Sequence, residues 1–214
     1  MRVILIAAKE LGLAKTRLDS AMPAGERSAL AEAMYRDVLA AALGSRAAEL
    51  VAVVTSDRSL LELARGAGAM AIDEGYARGL NAAVAMATAV LAARGATTLC
   101  TVLSDIPMIT ASDMDAVFAA MEPERGVVLV PSRDFSGTNV IARSPAAVIA
   151  TRFGRLSLAK HLDDCRARGV RCQVLRLARP ALDLDLVNDL YEFVRRASTT
   201  HTLNQLSRLG IAHH

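Results

Sequence analysis

Short apolar runs recur along the chain, separated by stretches with helical periodicity. The runs are Val3–Ala8, Glu49–Thr55, Ala69–Ile72, Thr98–Leu103 and Gly126–Pro131. Between them Pro23–Leu43, Leu60–Arg65, Leu80–Ala93 and Ser112–Met121 read as helices, with Leu30, Met34, Val38 and Ala41 on one face of the first. Runs apolar on both faces are buried strands, and their alternation with helices predicts an α/β fold: a mostly parallel sheet covered on both sides. Beyond Pro131 the rhythm changes. Asn139–Ala142, Arg171–Leu177 and the strictly alternating Leu182–Leu186 read as further strands; Phe153–Arg168 carries a helix after Gly154, and Val187–Arg196 reads as a last helix. The expected sheet is therefore mixed, in a three-layer arrangement. Residues 1–196 are expected to form a single domain. Residues 197–214 form a tail, either a docked helix or disordered.

Composition excludes several functions. Aromatics are 3% of the chain and Trp is absent, which argues against a base-stacking surface. The net charge of +3 comes from scattered arginines, with no block of the kind a nucleic-acid arm carries. No nucleic-acid partner is expected. A modest positive field still favours an anionic small molecule. The first apolar run is too short to span a membrane and lacks a cleavage region. Three cysteines without a CxxC pair fit a reducing cytoplasm, with Cys100 in the core. The terminal His213-His214 reads as a solvated end or an expression remnant rather than a metal site.

Six stretches could carry chemistry. Lys9, Lys15 and Arg17 follow the first strand, where cations can clamp a polyphosphate, although neither GxxxxGK[ST] nor GxGxxG is present. Gly79-Leu80-Asn81 opens a helix; Asn81 is either a cap or a contact to a base or ribose. Ser104-Asp105-Ile106-Pro107 places a carboxylate at a strand's carboxyl end, suited to Mg²⁺ or to capping. Asp134 to Asn139 is a turn whose backbone N–H groups and Thr138 hydroxyl could hold an anion. Phe153-Gly154-Arg155-Leu156-Ser157 leads into a helix, with Ser157 a cap or an anion ligand and His161 one turn on as a packing or supporting residue. Asp183-Leu184-Asp185 puts two carboxylates on one face, either solvated or paired with Asp105 around a divalent metal.

In this order, the stretches resemble the 2-phospho-L-lactate guanylyltransferase family, whose members also act on phosphoenolpyruvate or 3-phospho-D-glycerate in coenzyme F-420 biosynthesis. The matching pieces are Leu13-Ala14-Lys15-Thr16-Arg17-Leu18, Gly79-Leu80-Asn81-Ala82-Ala83, Ser104-Asp105-Ile106-Pro107, Gly137-Thr138-Asn139, Phe153-Gly154-Arg155-Leu156-Ser157 with His161, and Asp183-Leu184-Asp185-Leu186. The resemblance implies the nucleotide-diphospho-sugar transferase (Rossmann-like) fold and GTP-dependent guanylyl transfer. It implies that Thr138, Gly154 and Ser157 hold the phospho-acid and that Asp105, with Asp183 or Asp185, holds Mg²⁺. It also implies that Lys9, Lys15 and Arg17 hold the triphosphate and Asn81 the nucleoside. A homodimer and hand-over to the next transferase of the pathway are left open. The chain departs from the family at Ile6-Ala7-Ala8-Lys9, where a proline is usual, and at Phe135 and Ser136, where glycines are usual. Phe135 is expected to narrow the turn. The alternatives are a nucleotidyltransferase of the same fold for a sugar phosphate or molybdopterin, and a non-catalytic nucleotide-binding partner.

Overall fold

The computed structural model describes residues 1–121, 125–197 and 199–211. His213 and His214 lie outside the described residues. The five apolar runs become β1 (Arg2–Ala7), β2 (Leu50–Thr55), β3 (Met70–Asp73), β4 (Thr98–Leu103) and β5 (Gly126–Pro131). Four helices intervene: α1 (Ala24–Leu43), α2 (Arg58–Gly66), α3 (Leu80–Ala93) and α4 (Ala111–Ala119). Then follow β6 (Thr138–Ser144), α5 (Ser157–Ala167), β7 (Cys172–Val174), α6 (Val187–Arg196) and α7 (His201–Arg208). The strands form one sheet in the order β3-β2-β1-β4-β6-β5-β7.

β1 pairs in parallel with β2 and β4, β2 with β3, and β5 with β7. β6 runs antiparallel to both of its neighbours, β4 and β5. This one reversal has a functional consequence. A parallel strand delivers its last residue to the carboxyl edge of the sheet; an antiparallel strand delivers its first. Thr138, which opens β6, therefore stands at the same edge as the loops that follow β1 and β4.

Period-two alternation sends strand residues to opposite faces. Ile4 and Ile6 meet α1, α2 and α4 through Val38, Leu60 and Phe118. Val3 and Leu5 meet α3 and α5 through Val84, Leu91 and Leu158. The result is the expected three-layer, mostly parallel mixed architecture. A third apolar cluster lies apart from these two, joining Leu18, Leu30 and Met34 to Leu182, Leu184, Phe193 and Leu206. It fixes α6 and α7 against α1. Asp37 of α1 clasps the start of α7, accepting from the backbone N–H of His201 and of Thr202 at 2.8 Å each. The docked form of the tail is the one seen over residues 201–208.

Two expectations need correction. Leu182–Leu186 is not a strand. Leu182 and Leu184 are buried and Leu186 is exposed. Burying alternate side chains on one face needs an extended backbone but not a sheet partner. At ~1.5–3 kcal/mol per buried leucine, that packing holds the segment, helped by one backbone bond from Leu184 N–H to the Asp105 carbonyl at 3.1 Å. The strand expected over Arg171–Leu177 shortens to Cys172–Val174, after which the chain turns away and Arg179 pairs bidentately with Asp113 at 2.8 Å. The helix expected after Gly154 begins at Ser157, with Gly154 at φ 115° and Leu156 at φ 56° in the loop before it.

Candidate active site

A cavity of about 560 Å³ opens at the carboxyl edge. The loop after β1, carrying Lys9, Lys15 and Arg17, forms one flank; Thr138, Gly154 and Ser157 form the other. Asp105, Asp183 and Asp185 lie between them. This follows from strand order: β4 lies between β1 and β6, so the acid two residues beyond β4 stands between the cationic flank and the turn.

Lys15 sits at the centre. Its residue is in the left-handed conformation, φ 56°, and its side chain is 5% exposed. Nζ donates to Asp105 Oδ2 and to Asp185 Oδ1, both at 2.9 Å. Burial works against the ammonium, yet the charges of Asp105 and Asp185 outweigh it and hold the Lys15 pKa above its ordinary value. Arg17 reaches the other Asp185 oxygen at 3.1 Å. Burial pushes the Asp185 carboxyl up, but Lys15, Arg17 and Lys9 overcome that and lower its pKa. Asp183 differs. Burial and then the Asp105 charge raise its pKa, and its side chain receives only a long 3.4 Å bond from Asn139 Nδ2.

These carboxylates suit a divalent cation that shares its shell with substrate. Asp105 Oδ1 is buried without a hydrogen-bond partner, and Asp183 is destabilised as an anion by the same neighbour. A cation between them would satisfy the first and relieve the second. Among the described residues no three acidic, histidine or cysteine side chains gather closely enough to hold a metal by themselves. Mg²⁺ takes one or two carboxylates and completes its shell with phosphate and water, so Asp105 with one of the other two acids would suffice for it.

The opposite flank is a cradle whose turn is tied by its own hydrogen bonds. Ser132 Oγ donates to Asp134 Oδ1 at 2.7 Å and accepts the Gly137 N–H at 2.7 Å, and Ser136 closes the turn onto Asp134. These hydroxyls, Ser132 first, hold the Asp134 carboxyl down at about 2. A Cβ on Gly137 would stand 2.8 Å from Ser132 Oγ, an atom already held by two bonds. Gly137→Ala is therefore expected to cost ~1–3 kcal/mol in a urea melt; an unchanged midpoint would contradict the crowding. Phe135 does not narrow the turn. It takes the left-handed conformation at φ 58°, and its ring lies under the Arg176 guanidinium, 4.9 Å from Cζ to centroid.

Two residues sit differently from their expected local roles. Ser157 is not the helix cap; Leu156 is, and Ser157 stands in the first turn, 1% exposed. Asn81 caps nothing. Its Nδ2 donates to the Phe153 carbonyl at 3.0 Å and its Oδ1 accepts the Phe153 N–H at 2.8 Å. The amide expected on the nucleoside thus clasps the loop that carries Gly154.

His161 is the packing and supporting residue expected of it. It is fully buried, with Nδ1 3.1 Å from Thr138 Oγ1 and Nε2 2.8 Å from the Arg152 backbone nitrogen. Burial, then Arg143 and Arg152 against Asp164, lower its pKa to about 4. A histidine kept neutral contributes stability that is complete above its unfolded value near 6.5 and is lost as pH falls through about 4. Between pH 7 and 5 the protein should lose ~1–3 kcal/mol more than His161→Asn does, read from denaturant midpoints. Equal losses would show that the imidazole is not held neutral. Sequence reading passed over Glu74, just beyond β3, whose Oε2 is buried without a partner; a sequence does not display an orphaned atom.

The family described as "Guanylyl transferase CofC like" matches residues 1–214. A phosphoenolpyruvate guanylyltransferase of Sphaerobacter thermophilus is 36% identical over 195 residues, 91% of this chain and 93% of that one. A 3-phospho-D-glycerate guanylyltransferase of Phenylobacterium zucineum is 36% identical over 199 residues, 92% and 91% of the two chains. A crystal structure from Desulfovibrio desulfuricans G20, described as a nucleotide-diphospho-sugar transferase, superposes with a TM-score of 0.78 at 19% identity, covering 99% and 96%. Its likeness carries the fold, the mixed sheet with helices on both faces. The family match and the two relatives carry the rest: this chain belongs to the CofC-like guanylyl transferase family.

Proposed function

We propose that the protein transfers GMP from GTP to the phosphate of a three-carbon phospho-acid, releasing pyrophosphate, and that the product serves coenzyme F-420 assembly. The observation that carries this reading is the pairing of two anion-holding flanks across one acidic centre. Lys9, Lys15 and Arg17 face Thr138, Gly154 and Ser157 over Asp105. One flank suits a triphosphate, the other a small acid that is itself a phosphate.

The acceptor is 2-phospho-L-lactate, phosphoenolpyruvate or 3-phospho-D-glycerate. The two relatives, equal in identity, are named for the second and the third, and those two are the favoured substrates here.

A phosphate oxygen of the acid attacks the α-phosphorus in line. The new P–O bond forms as the bond to the β-phosphate bridging oxygen breaks, and pyrophosphate carries away the electron pair. The attacking phosphate is already ionised, so no protein nucleophile is needed, and catalysis is positioning plus charge neutralisation. Lys9, Lys15 and Arg17 offset charge on the leaving pyrophosphate. Thr138 and the start of α5 orient the acid. Asp105 with Asp183, or with Asp185, would hold Mg²⁺, which would supply positive charge to offset that of the reacting phosphates. The test is pyrophosphate release with GTP, ATP, CTP and UTP crossed with the three acids. Release with GTP and one or two acids is expected. Release with no pair would overturn the reading.

A further inference from the structure

We propose that His161 is a positioning residue which turns the Thr138 hydroxyl into a hydrogen-bond donor toward the anionic end of the phospho-acid. The argument begins away from the cavity. The Arg152 backbone N–H can only donate, and it meets Nε2 of His161 at 2.8 Å. Nε2 must therefore carry its lone pair. In a neutral imidazole the proton then sits on Nδ1. Nδ1 lies 3.1 Å from Thr138 Oγ1, so Nδ1–H donates and Thr138 accepts. With that lone pair engaged, the Thr138 O–H is free to donate elsewhere.

Thr138 is 2% exposed and lines the cavity beside Gly154 and Ser157. The opposite tautomer would reverse its polarity. Thr138 would then donate to the ring and turn only lone pairs toward a phosphate or carboxylate, which repels them.

Burial and the neighbours of the ring favour this arrangement against the pull of Asp164. Phe153 meets it edge-on, centroids 5.7 Å apart, and Asn81 pins Phe153 from the other side. Arg143 and Arg152 disfavour a charged ring, Arg152 being itself paired with Asp164 at 3.0 Å. One imidazole thus orders two parts of the cradle: the Thr138 hydroxyl through Nδ1, and the loop leading to Gly154 through Nε2. This rests on the proposed function only in naming the phospho-acid as what Thr138 faces.

Two measurements test it. Long-range ¹H–¹⁵N NMR of the wild-type protein, with the signal assigned by its loss in His161→Asn, should show a protonated Nδ1 and a bare Nε2. A protonated Nε2 overturns the proposal, and this readout needs no turnover. Failure of the function reading therefore stays distinguishable. Kinetics give the second test. An asparagine amide nitrogen falls near the Nδ1 position and a glutamine oxygen near Nε2, so the two variants separate the two bonds. His161→Gln should raise the KM for the acid roughly ten- to hundredfold, the worth of one hydrogen bond to a charged group, with the KM for GTP unchanged. His161→Asn should restore most of that loss. Thr138→Val should match His161→Gln, and the double variant should lose no more than either alone. Additive losses, or a Thr138→Val enzyme with an unchanged KM for the acid, would overturn the proposal even if a histidine variant fails to fold.

Discussion

Asp105→Asn is expected to lower turnover by roughly a thousandfold or more while the fold survives. The substitution keeps the shape of the side chain and leaves a carbonyl oxygen for Lys15, which now meets Oδ2 at 2.9 Å. It removes one negative charge, and with it the unpartnered Oδ1 that a cation could use. A unit charge about 4 Å from a cation is worth ~4 kcal/mol at an effective dielectric near 20. Appearing only in the transition state, that is about three orders of magnitude in rate. Stability should move little, because two effects oppose. The Lys15 pair weakens, but the repulsion that raises the Asp183 pKa is relieved. The backbone carbonyl that receives Leu184 N–H is untouched. Pyrophosphate release at saturating GTP and acid, beside a thermal melt, reads both sides. Near-normal release would remove Asp105 from the chemistry, and a collapsed melt would make it a structural residue.

The place of Asp105 at a strand end was legible locally, from an apolar run that leads into Asp-x-Pro. Its role, like those of its neighbours, was legible only through the order of the stretches along the chain. Nothing local to Lys15 shows that it will meet Asp185, 170 residues away. That contact exists because Leu182 and Leu184 bury into the third cluster and turn the intervening carboxylates toward the cavity. The same alternation misled as to strand, because side-chain periodicity reports an extended backbone and is silent on hydrogen-bond partners. The supporting role of His161 was legible but its partners were not, because the Arg152 N–H and Thr138 come from a loop and from another strand. Asn81 was a plausible cap by type, but Gly79 holds that position and the amide is drawn to Phe153 instead. Phe135, at a position where the resemblance led one to expect glycine, pointed to a narrowed turn. The backbone there is still left-handed, and the ring leaves the cavity for Arg176.

Lys15→Met is expected to abolish turnover and also to change how the folded protein responds to a divalent cation. Methionine keeps much of the stem and loses the ammonium. Asp105 and Asp185 then stand near Asp183 with only Arg17 and Lys9 to offset three carboxylates. Losing the central partner of a buried pair costs ~3–5 kcal/mol. Both acids retain about a third of their exposure, at 28% and 33%, so solvent screening brings the expected loss nearer ~1–3 kcal/mol. The sharper readout is Mg²⁺ alone. In the wild-type protein the Lys15 ammonium already holds Asp105 and Asp185, and a cation seeking Asp105 must compete with it. In the variant that competitor is gone and the carboxylates repel, so Mg²⁺ should bind more tightly and raise the melting temperature further, as ligand linkage requires. On that outcome Lys15 balances the acidic centre until substrate phosphate arrives, and would then exchange a carboxylate for the phosphate. A variant that melts like the wild type and gains no more from Mg²⁺ would reduce Lys15 to a phosphate contact and assign the apo-state balance to Arg17 and Lys9.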